Sequence, residues 1–467
     1  MSYVFYDTET SGTETSFDQI LQFAAIRTDH DFNELDRFEV RCRLLDRVVV
    51  APGAFRVTGV SVAQLTDKAL PSHFEMICSI REKLTSWSPA VFVGYNSIKF
   101  DEHLVRSALW KSLHRPYLTN SAGNARADAM RIVQAVAAMR QEILQVPIGL
   151  KGKPSFKLED VAPANGFDHS NAHDALADVE ATIHLCRVVA ERAPDLWSSS
   201  MRFTQKAAVL DFVSEEKVFG LIEYYFGREY VFALTNIGRS TTNGSELYAF
   251  DVTVDPSELS SLSDGELAVR MTKSPKPVRR VKANEAPFLL SFDDVPGIFE
   301  NVKVSREEME RRADSVSLGS PLAKRICSAL EASKEAKEPS TYVEGTIYDG
   351  FASDSDMALC DLFHSSAWEE RIALVSRFED ARLRELGRRL VFDERPDLMS
   401  PEDREAERRM IADRLLSLEA DLPWCTLPRA ITECRELLAK ASGTEADRLR
   451  EYLAHCEARH ASLQAMV

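Results

Sequence analysis

Over residues 1–192 short apolar runs alternate with segments of helical pattern, and this alternation constrains the chain more than any other feature of its sequence. Residues 3–6 form an apolar, aromatic-rich run, and Ile20–Thr28 reads as a second strand. In residues 38–45, Phe38, Val40, Cys42 and Leu44 alternate with polar neighbours, the period of a half-buried strand. Residues 91–95 make another buried-strand candidate, followed by a polar turn and a helical pattern from Glu102 onward. Strands that alternate with helices pack as a sheet covered by helices. The expectation is an α/β domain with a mixed sheet.

The rhythm stops near residue 200. Residues 229–235, 246–254 and 287–291 are short strand candidates, separated by the turn signals Asn243-Gly244 and Pro296-Gly297, so residues 200–345 read as a small β-rich domain. Within it Arg270, Lys273, Lys276, Arg279, Arg280 and Lys282 occupy a stretch without one acid. That stretch reads either as a solvated loop or as a phosphate-contacting surface. From residue 350 to residue 467 the pattern is helical, with Ser400-Pro401-Glu402-Asp403 as an N-cap and first turn, and Gly443-Thr444-Glu445 ending one helix and starting another.

A length of 467 residues fits about three domains at roughly 150 residues each. With 45% hydrophobic and 28% charged residues the chain is neither disordered nor fibrous. Its apolar stretches fall short of the roughly 20 residues a membrane span needs. Met1 runs straight into a β-like segment with no charged and then apolar leader, so a soluble, cytoplasmic protein is expected. Eight cysteines without a C-x-x-C pair argue against structural zinc or a disulfide framework. Set against 73 acids, 57 lysines and arginines leave a net charge of −16, which excludes wholesale attraction to nucleic acid but permits a local basic groove.

Asp7-Thr8-Glu9-Thr10 follows the first apolar run directly. If that run is a strand, its two carboxylates, two residues apart, point to the same face. They repel each other there, and a divalent cation is the most economical compensation. The same spacing recurs at Asp178 and Glu180, Asp264 and Glu266, and Asp403 and Glu405, where a solvated face is the better reading. A second element runs from Gly94 through Asn96 to Asp101, which either caps a helix or joins the acidic site. In the third, Asp174 and Asp178 stand four apart on one helical face with His173 just before them. Like charges at that spacing cost helix stability unless something binds them. Taken alone, His173 is a core histidine beside surface acids.

Taken together, four carboxylates and a histidine supply what two-metal phosphodiester hydrolysis requires. The acids offer hard oxygen ligands for two Mg²⁺ or Mn²⁺ ions roughly 3.5–4 Å apart. The histidine, with an ordinary pKa of about 6.5, can take a proton from the attacking water.

Asp7-x-Glu9, Asp101 and His173-x4-Asp178 resemble the three motifs of the DEDDh 3′–5′ exonuclease superfamily, which includes polymerase proofreading subunits and oligoribonucleases. The likeness extends to the bacterial exonuclease I family. It is carried by Gln22-Phe23-Ala24-Ala25-Ile26-Arg27-Thr28-Asp29, by Gly94-Tyr95-Asn96 through Phe100-Asp101, by Ala164-Asn165-Gly166 through Ser170-Asn171-Ala172-His173-Asp174-Ala175, and by Tyr348-Asp349-Gly350-Phe351. It is dense over residues 3–190, thin between 200 and 340, and collinear to the C-terminus. The resemblance implies a ribonuclease H-like exonuclease domain (1–192), an SH3-like β domain (200–345) and an all-α C-terminal domain (350–467), closing around single-stranded DNA.

By that resemblance Asp7, Glu9, Asp101 and Asp178 would hold two Mg²⁺ ions, with Mn²⁺ as a substitute, and His173 would be the general base. Glu9, Thr10 and Phe100 would line the pocket of the 3′-terminal nucleotide, while Asp174 would cap the helix or orient His173. Arg140 falls where the family binds the acidic C-terminal tail of single-stranded DNA-binding protein. The implied activity is processive release of 5′-mononucleotides from single-stranded DNA, in DNA repair and recombination, by a monomer. Thr8 and Ser11 stand where the family has aromatic residues, so a DEDDh ribonuclease is an alternative reading. A catalytically silent scaffold for single strands or their binding protein is another.

Overall fold

A computed structural model describes residues 2–149, 152–168, 173–294, 304–335 and 338–466. Five strands, β1 (Ser2–Thr10), β2 (Ile20–Thr28), β3 (Glu34–Arg41), β4 (Ala90–Gly94) and β5 (Ala125–Asp128), form a mixed sheet in the order β3-β2-β1-β4-β5. The pairs β1–β2 and β2–β3 are antiparallel, while β1–β4 and β4–β5 are parallel. Side-chain period two sorts the core. Tyr3, Phe5, Ala24, Ile26, Val91 and Val93 pack against Val179, Leu185, Cys186 and Val189 of the helix Ala175–Arg192. Val4, Tyr6, Ala25 and Phe92 face the helices His73–Trp87 and Asp101–Lys111. Truncating Phe5, which is fully buried, would cost about 3–5 kcal/mol.

The apolar run at residues 3–6 proves to be the middle of a longer strand, since β1 continues through both acids to Thr10. Its pairing with β4 ends at Phe5 with Val93, so Asp7 and Glu9 overhang the end of the parallel neighbour. There the chain turns sharply: Gly94 lies so close to Ser97 that an added Cβ would sit 2.5 Å from the serine's own, and Asn96 adopts φ 60°. The third strand is displaced from the expected 38–45 to Glu34–Arg41. Cys42, Arg43 and Leu44 leave the sheet, and their amides donate to Leu21, Pro71 and Leu65.

A second, antiparallel sheet contains β6 (Phe219–Tyr225), β7 (Arg228–Arg239), β8 (Glu246–Asp251), β9 (Val278–Lys282) and β10 (Leu289–Ser291), in the order β10-β6-β7-β8-β9. The region is less purely β than its sequence suggests, because the helices Asp264–Thr272, Arg306–Ser315 and Pro321–Ala332 cover the sheet through Leu267, Met309 and Ile326. The basic stretch is not a loop throughout: Arg270 lies in a helix and Arg279, Arg280 and Lys282 in the edge strand β9. The Pro296-Gly297 turn signal lies outside the described residues.

Residues from Asp354 onward are helical and share a core with the first sheet's domain. Leu21, Val50, Phe55, Phe74 and Leu113 pack with Leu386, Leu390 and Tyr452, and the Phe55 and Tyr452 rings stack at 4.2 Å. Ser400 Oγ accepts from the Asp403 amide at the start of Pro401–Leu416, as its sequence requires. Among the described residues no helix is long and apolar enough to cross a membrane.

Candidate active site

The pleat of β1 sends its odd residues toward the helix Ala175–Arg192 and its even residues toward the helix Asp101–Lys111. Asp7 and Glu9 therefore meet Asp178, in the first turn of the former helix, and the ligand oxygens of the three lie within 4.8 Å of one another. On the other side Thr8 Oγ1 donates to Asp101 Oδ1 at 2.5 Å and Tyr6 Oη donates to Glu102 Oε1 at 2.7 Å. Asp101 is the first residue of its helix, whose N-cap position is Phe100, so the capping alternative does not describe it. It stands beside the three-carboxylate group rather than in it.

The electrostatics follow from this crowding. Burial, then Asp101, Asp178 and Glu9, push the Asp7 carboxyl well above its usual range. Burial, then Asp178 and Asp101, push Glu9 up to about 9, against a modest opposing pull from Arg41. Burial raises Asp101 to about 7 even though Thr8 hydrogen-bonds its charged form. Oxygen ligands of one sign, Glu9 buried and Asp7 and Asp178 half-buried, converging from a strand and a helix, are the donor set of a hard divalent cation.

His173 occupies the turn before that helix with φ 67°, and its amide donates to Asp178 Oδ1 at 3.3 Å. Its Nε2 lies 3.0 Å from Glu159 Oε2, and Glu159 also accepts from Lys157 Nζ at 2.7 Å. The preceding motif residues, His169 to Ala172, lie outside the described residues. Asp174 is the helix N-cap, accepting from the amides of Leu176 and Ala177. Arg41 and Gln22 hold its other oxygen at 2.6 and 3.1 Å, so it is committed to structure.

Thr10 is buried and donates through Oγ1 to the Gly12 carbonyl at 2.7 Å. Phe100 is half-buried against the core under the Asp101–Lys111 helix. Ser11 Oγ donates to Asp18 and accepts from the Gln19 amide, so Thr8 and Ser11 both brace the strand end. Arg140 lies elsewhere, in a two-pronged ion pair with Asp195.

Sequence reasoning missed three parts of the site. Glu159 carries no motif of its own, and only its lead over His173 in the chain could have marked it. Asp128, buried at the end of β5, accepts from the Asn96 amide at 2.9 Å and fixes the turn that delivers Asp101. A cleft of about 260 Å³ brings Asn96 and Lys99 beside Arg131, Tyr224, Tyr225, Arg280 and Lys282, joining the two sheets' domains.

Comparison with known proteins agrees with this fold. The Exonuclease (RNase_T) family matches residues 4–186, and the Exonuclease I C-terminal domain matches residues 341–460. Exodeoxyribonuclease I of Escherichia coli (strain K12) is 28% identical over 411 residues, covering 82% of this chain and 84% of the relative. The crystal structure of E. coli Exonuclease I in complex with a dA16 oligonucleotide superposes over the whole of both chains with a TM-score of 0.84 at 25% identity. The zinc-bound form of the E. coli ExoI–ssDNA complex gives 0.84 at 25% identity, over 98% of this chain and 99% of that one.

An α/β sheet that ends in clustered carboxylates, within a matching exonuclease domain, defines a DNA exonuclease. The C-terminal match on the same chain narrows the class: the chain joins an exonuclease domain to an Exonuclease I C-terminal domain and is similar to exodeoxyribonuclease I over 82% of its length. A catalytically silent scaffold is thereby set aside.

Proposed function

We propose that the protein removes 5′-mononucleotides processively from the 3′ end of single-stranded DNA, as a Mg²⁺-dependent monomer serving DNA repair and recombination. The observation that carries this reading is the convergence of Asp7, Glu9 and Asp178 within 4.8 Å, with Asp101 beside them. These four side chains would hold the divalent ions. When bound, such ions polarise the phosphoryl oxygens and lower the pKa of the attacking water. His173 takes that water's proton at Nδ1, because its Nε2 faces Glu159, whose carboxylate stabilises the imidazolium. Thr10 and Phe100 border the pocket for the terminal nucleotide, and Glu9 serves both metal and nucleotide.

Single-stranded DNA fits the cleft between the two sheets' domains. Lys99, Arg131, Arg280 and Lys282 offer phosphate contacts, and Tyr224 and Tyr225 offer faces for bases to stack on. The E. coli relatives in complex with oligonucleotides support the same substrate. On this reading the acidic tail of single-stranded DNA-binding protein would compete with Asp195 for Arg140.

Digestion of 3′-labelled and 5′-labelled DNA and RNA oligomers, with Mg²⁺ and with EDTA, tests the reading. Immediate loss of the 3′ label from DNA alone, abolished by EDTA, is the expected outcome. Loss starting from the 5′ end, equal loss from RNA, or cleavage undiminished in EDTA would overturn it.

A further inference from the structure

Among the described residues a second group of close metal-ligating side chains lies outside the acidic site, and its chemistry is different. Cys78 of the helix His73–Trp87, His114 just after Asp101–Lys111, and His364 of Asp354–Ser365 bring their donor atoms within 4.8 Å of one another. Cys78 Sγ is 3.5 Å from His114 Nε2. Bonds of about 2.3 Å to sulfur and 2.0–2.1 Å to nitrogen, at a tetrahedral angle, set thiolate and imidazole about 3.6 Å apart. His364 Nε2 lies 3.3 Å from the Leu113 carbonyl, a bond that fixes the tautomer with the Nδ1 lone pair free for a metal.

We propose that Cys78, His114 and His364 form a zinc site that ties the C-terminal helices to the exonuclease domain. A water completes the tetrahedron. This runs against the expectation from cysteine spacing, which registers only close pairs along the chain and is blind to ligands 36 and 250 residues apart. Thiolate and imidazole select Zn²⁺ over the Mg²⁺ that suits carboxylates. Burial keeps both rings neutral, with His114 driven down to about 2 and His364 to about 4, so protons do not compete for them. Burial also pushes the Cys78 thiol up to about 11, and its proton leaves to solvent as the zinc–sulfur bond forms.

The surroundings admit an ion. Arg371, which faces the thiol, is spent on the Ser366 and His364 carbonyls and on the Trp368 ring. Arg81 also faces the thiol, and Glu75 and Glu394 face it with the opposite sign. The His114 and His364 rings stack at 3.7 Å and 12°, so their lone pairs lie in near-parallel planes and do not meet at one point. Closing on zinc therefore tilts one ring off the stack. His364 is half-buried where His114 is only 6% exposed, so it is the ring that moves, giving up its parallel packing on Phe74 at 5.7 Å.

The test uses the full chain carrying Asp7→Asn and Asp178→Asn, which silences the acidic site, reduced, stripped with EDTA and titrated with Co²⁺. No nucleic acid enters the measurement, so its result is independent of the proposed activity. One equivalent should give a thiolate-to-cobalt charge-transfer band and the strong visible absorption of tetrahedral Co²⁺, both erased by Zn²⁺. Adding Cys78→Ser should remove the charge-transfer band, while adding Cys360→Ser should not. Adding His364→Gln should weaken binding by about tenfold or more, and it replaces Cys78→Ser as the test should that chain fail to fold. A titration without the band, a band that survives Cys78→Ser, or unchanged affinity in His364→Gln overturns the site.

Discussion

Two buried glutamates, Glu9 and Glu344, are 7% and 5% exposed and behave in opposite ways. Burial alone would raise both. Around Glu9 the neighbours are further carboxylates, and it climbs to about 9. Around Glu344 the guanidinium groups of Arg414 and Arg389, each 2.8 Å away, overcome burial and hold it down to about 2. The same network, between the exonuclease domain and the C-terminal helices, pairs Arg47 with Asp393 at 2.7 Å and Arg388 with Glu407 at 2.9 Å. A fold that has arginines available and withholds them from one cluster leaves that cluster for a cation from outside. Imbalance of sign, more than burial, separates a site from a scaffold.

This contrast can be broken by mutation. Asp178→Asn should cut hydrolysis by about 10³-fold or more, the several kcal/mol that metal-assisted charge stabilisation supplies. In EDTA the same change should hold or raise the melting temperature, because it removes repulsion. His173→Ala should lower turnover by roughly 10² to 10⁴-fold while DNA binding persists, measured by single-turnover digestion beside a binding isotherm. Glu344→Gln should do the reverse of Asp178→Asn. It strands two buried arginines and should cost about 3–5 kcal/mol in a denaturant titration, with the folded fraction still hydrolysing at the parent rate. If Asp178→Asn destabilises and Glu344→Gln does not, the contrast is wrong.

The smallest effect concerns pH. Glu9 and Asp101 keep protons in the folded chain up to about 9 and about 7, whereas unfolded carboxyls release theirs near about 4. Between those values the folded state binds more protons, so their contribution to stability is fully present at low pH and is lost as pH rises. In EDTA the melting temperature of the parent should therefore drop further from pH 6 to pH 9 than that of a Glu9→Gln, Asp101→Asn double variant. Mg²⁺ at a hundred times its dissociation constant should restore about 2.7 kcal/mol to the parent. A parent and double variant with the same pH dependence would remove the carboxylate crowding from the argument.

Legibility followed the range of the interactions. Ile20–Thr28 was readable residue for residue, because both faces of a central strand are apolar. Strand β1 looked shorter than it is, since Asp7 and Glu9 break the apolar pattern that marks a strand, and they break it where the site lies. Strand β9 was hidden because only Val278 and Val281 of its five side chains are buried, and its basic residues resemble a loop. The motif acids and His173 could be found because each sits beside a strand end or helix start with a local signature. Glu159, Asp128 and the Arg47–Asp393 pair have none, and the last joins residues 346 apart in the chain. The cleft shared by Lys99 and Tyr224 needed two domains to be set against each other.

The helix Gly443–Gln464 reaches back across the whole chain. Tyr452 Oη donates to the Val50 carbonyl across 402 residues, Arg448 donates to Phe55 and Val60, and Arg459 donates to Val48 and Asp46. That early segment is in turn fastened to the end of β1, where the Ala51 amide donates to Ser11. At about 5–20 residues per second, a ribosome needs roughly 20–80 s to make the intervening stretch. During that time the carbonyls of Asp46, Val48, Val50, Phe55 and Val60 wait for these partners, and the strand end that bears the clustered acids lacks this added support. This helix thus acts as a clasp on synthesis, delaying completion of the nuclease until Gly443–Gln464 has emerged.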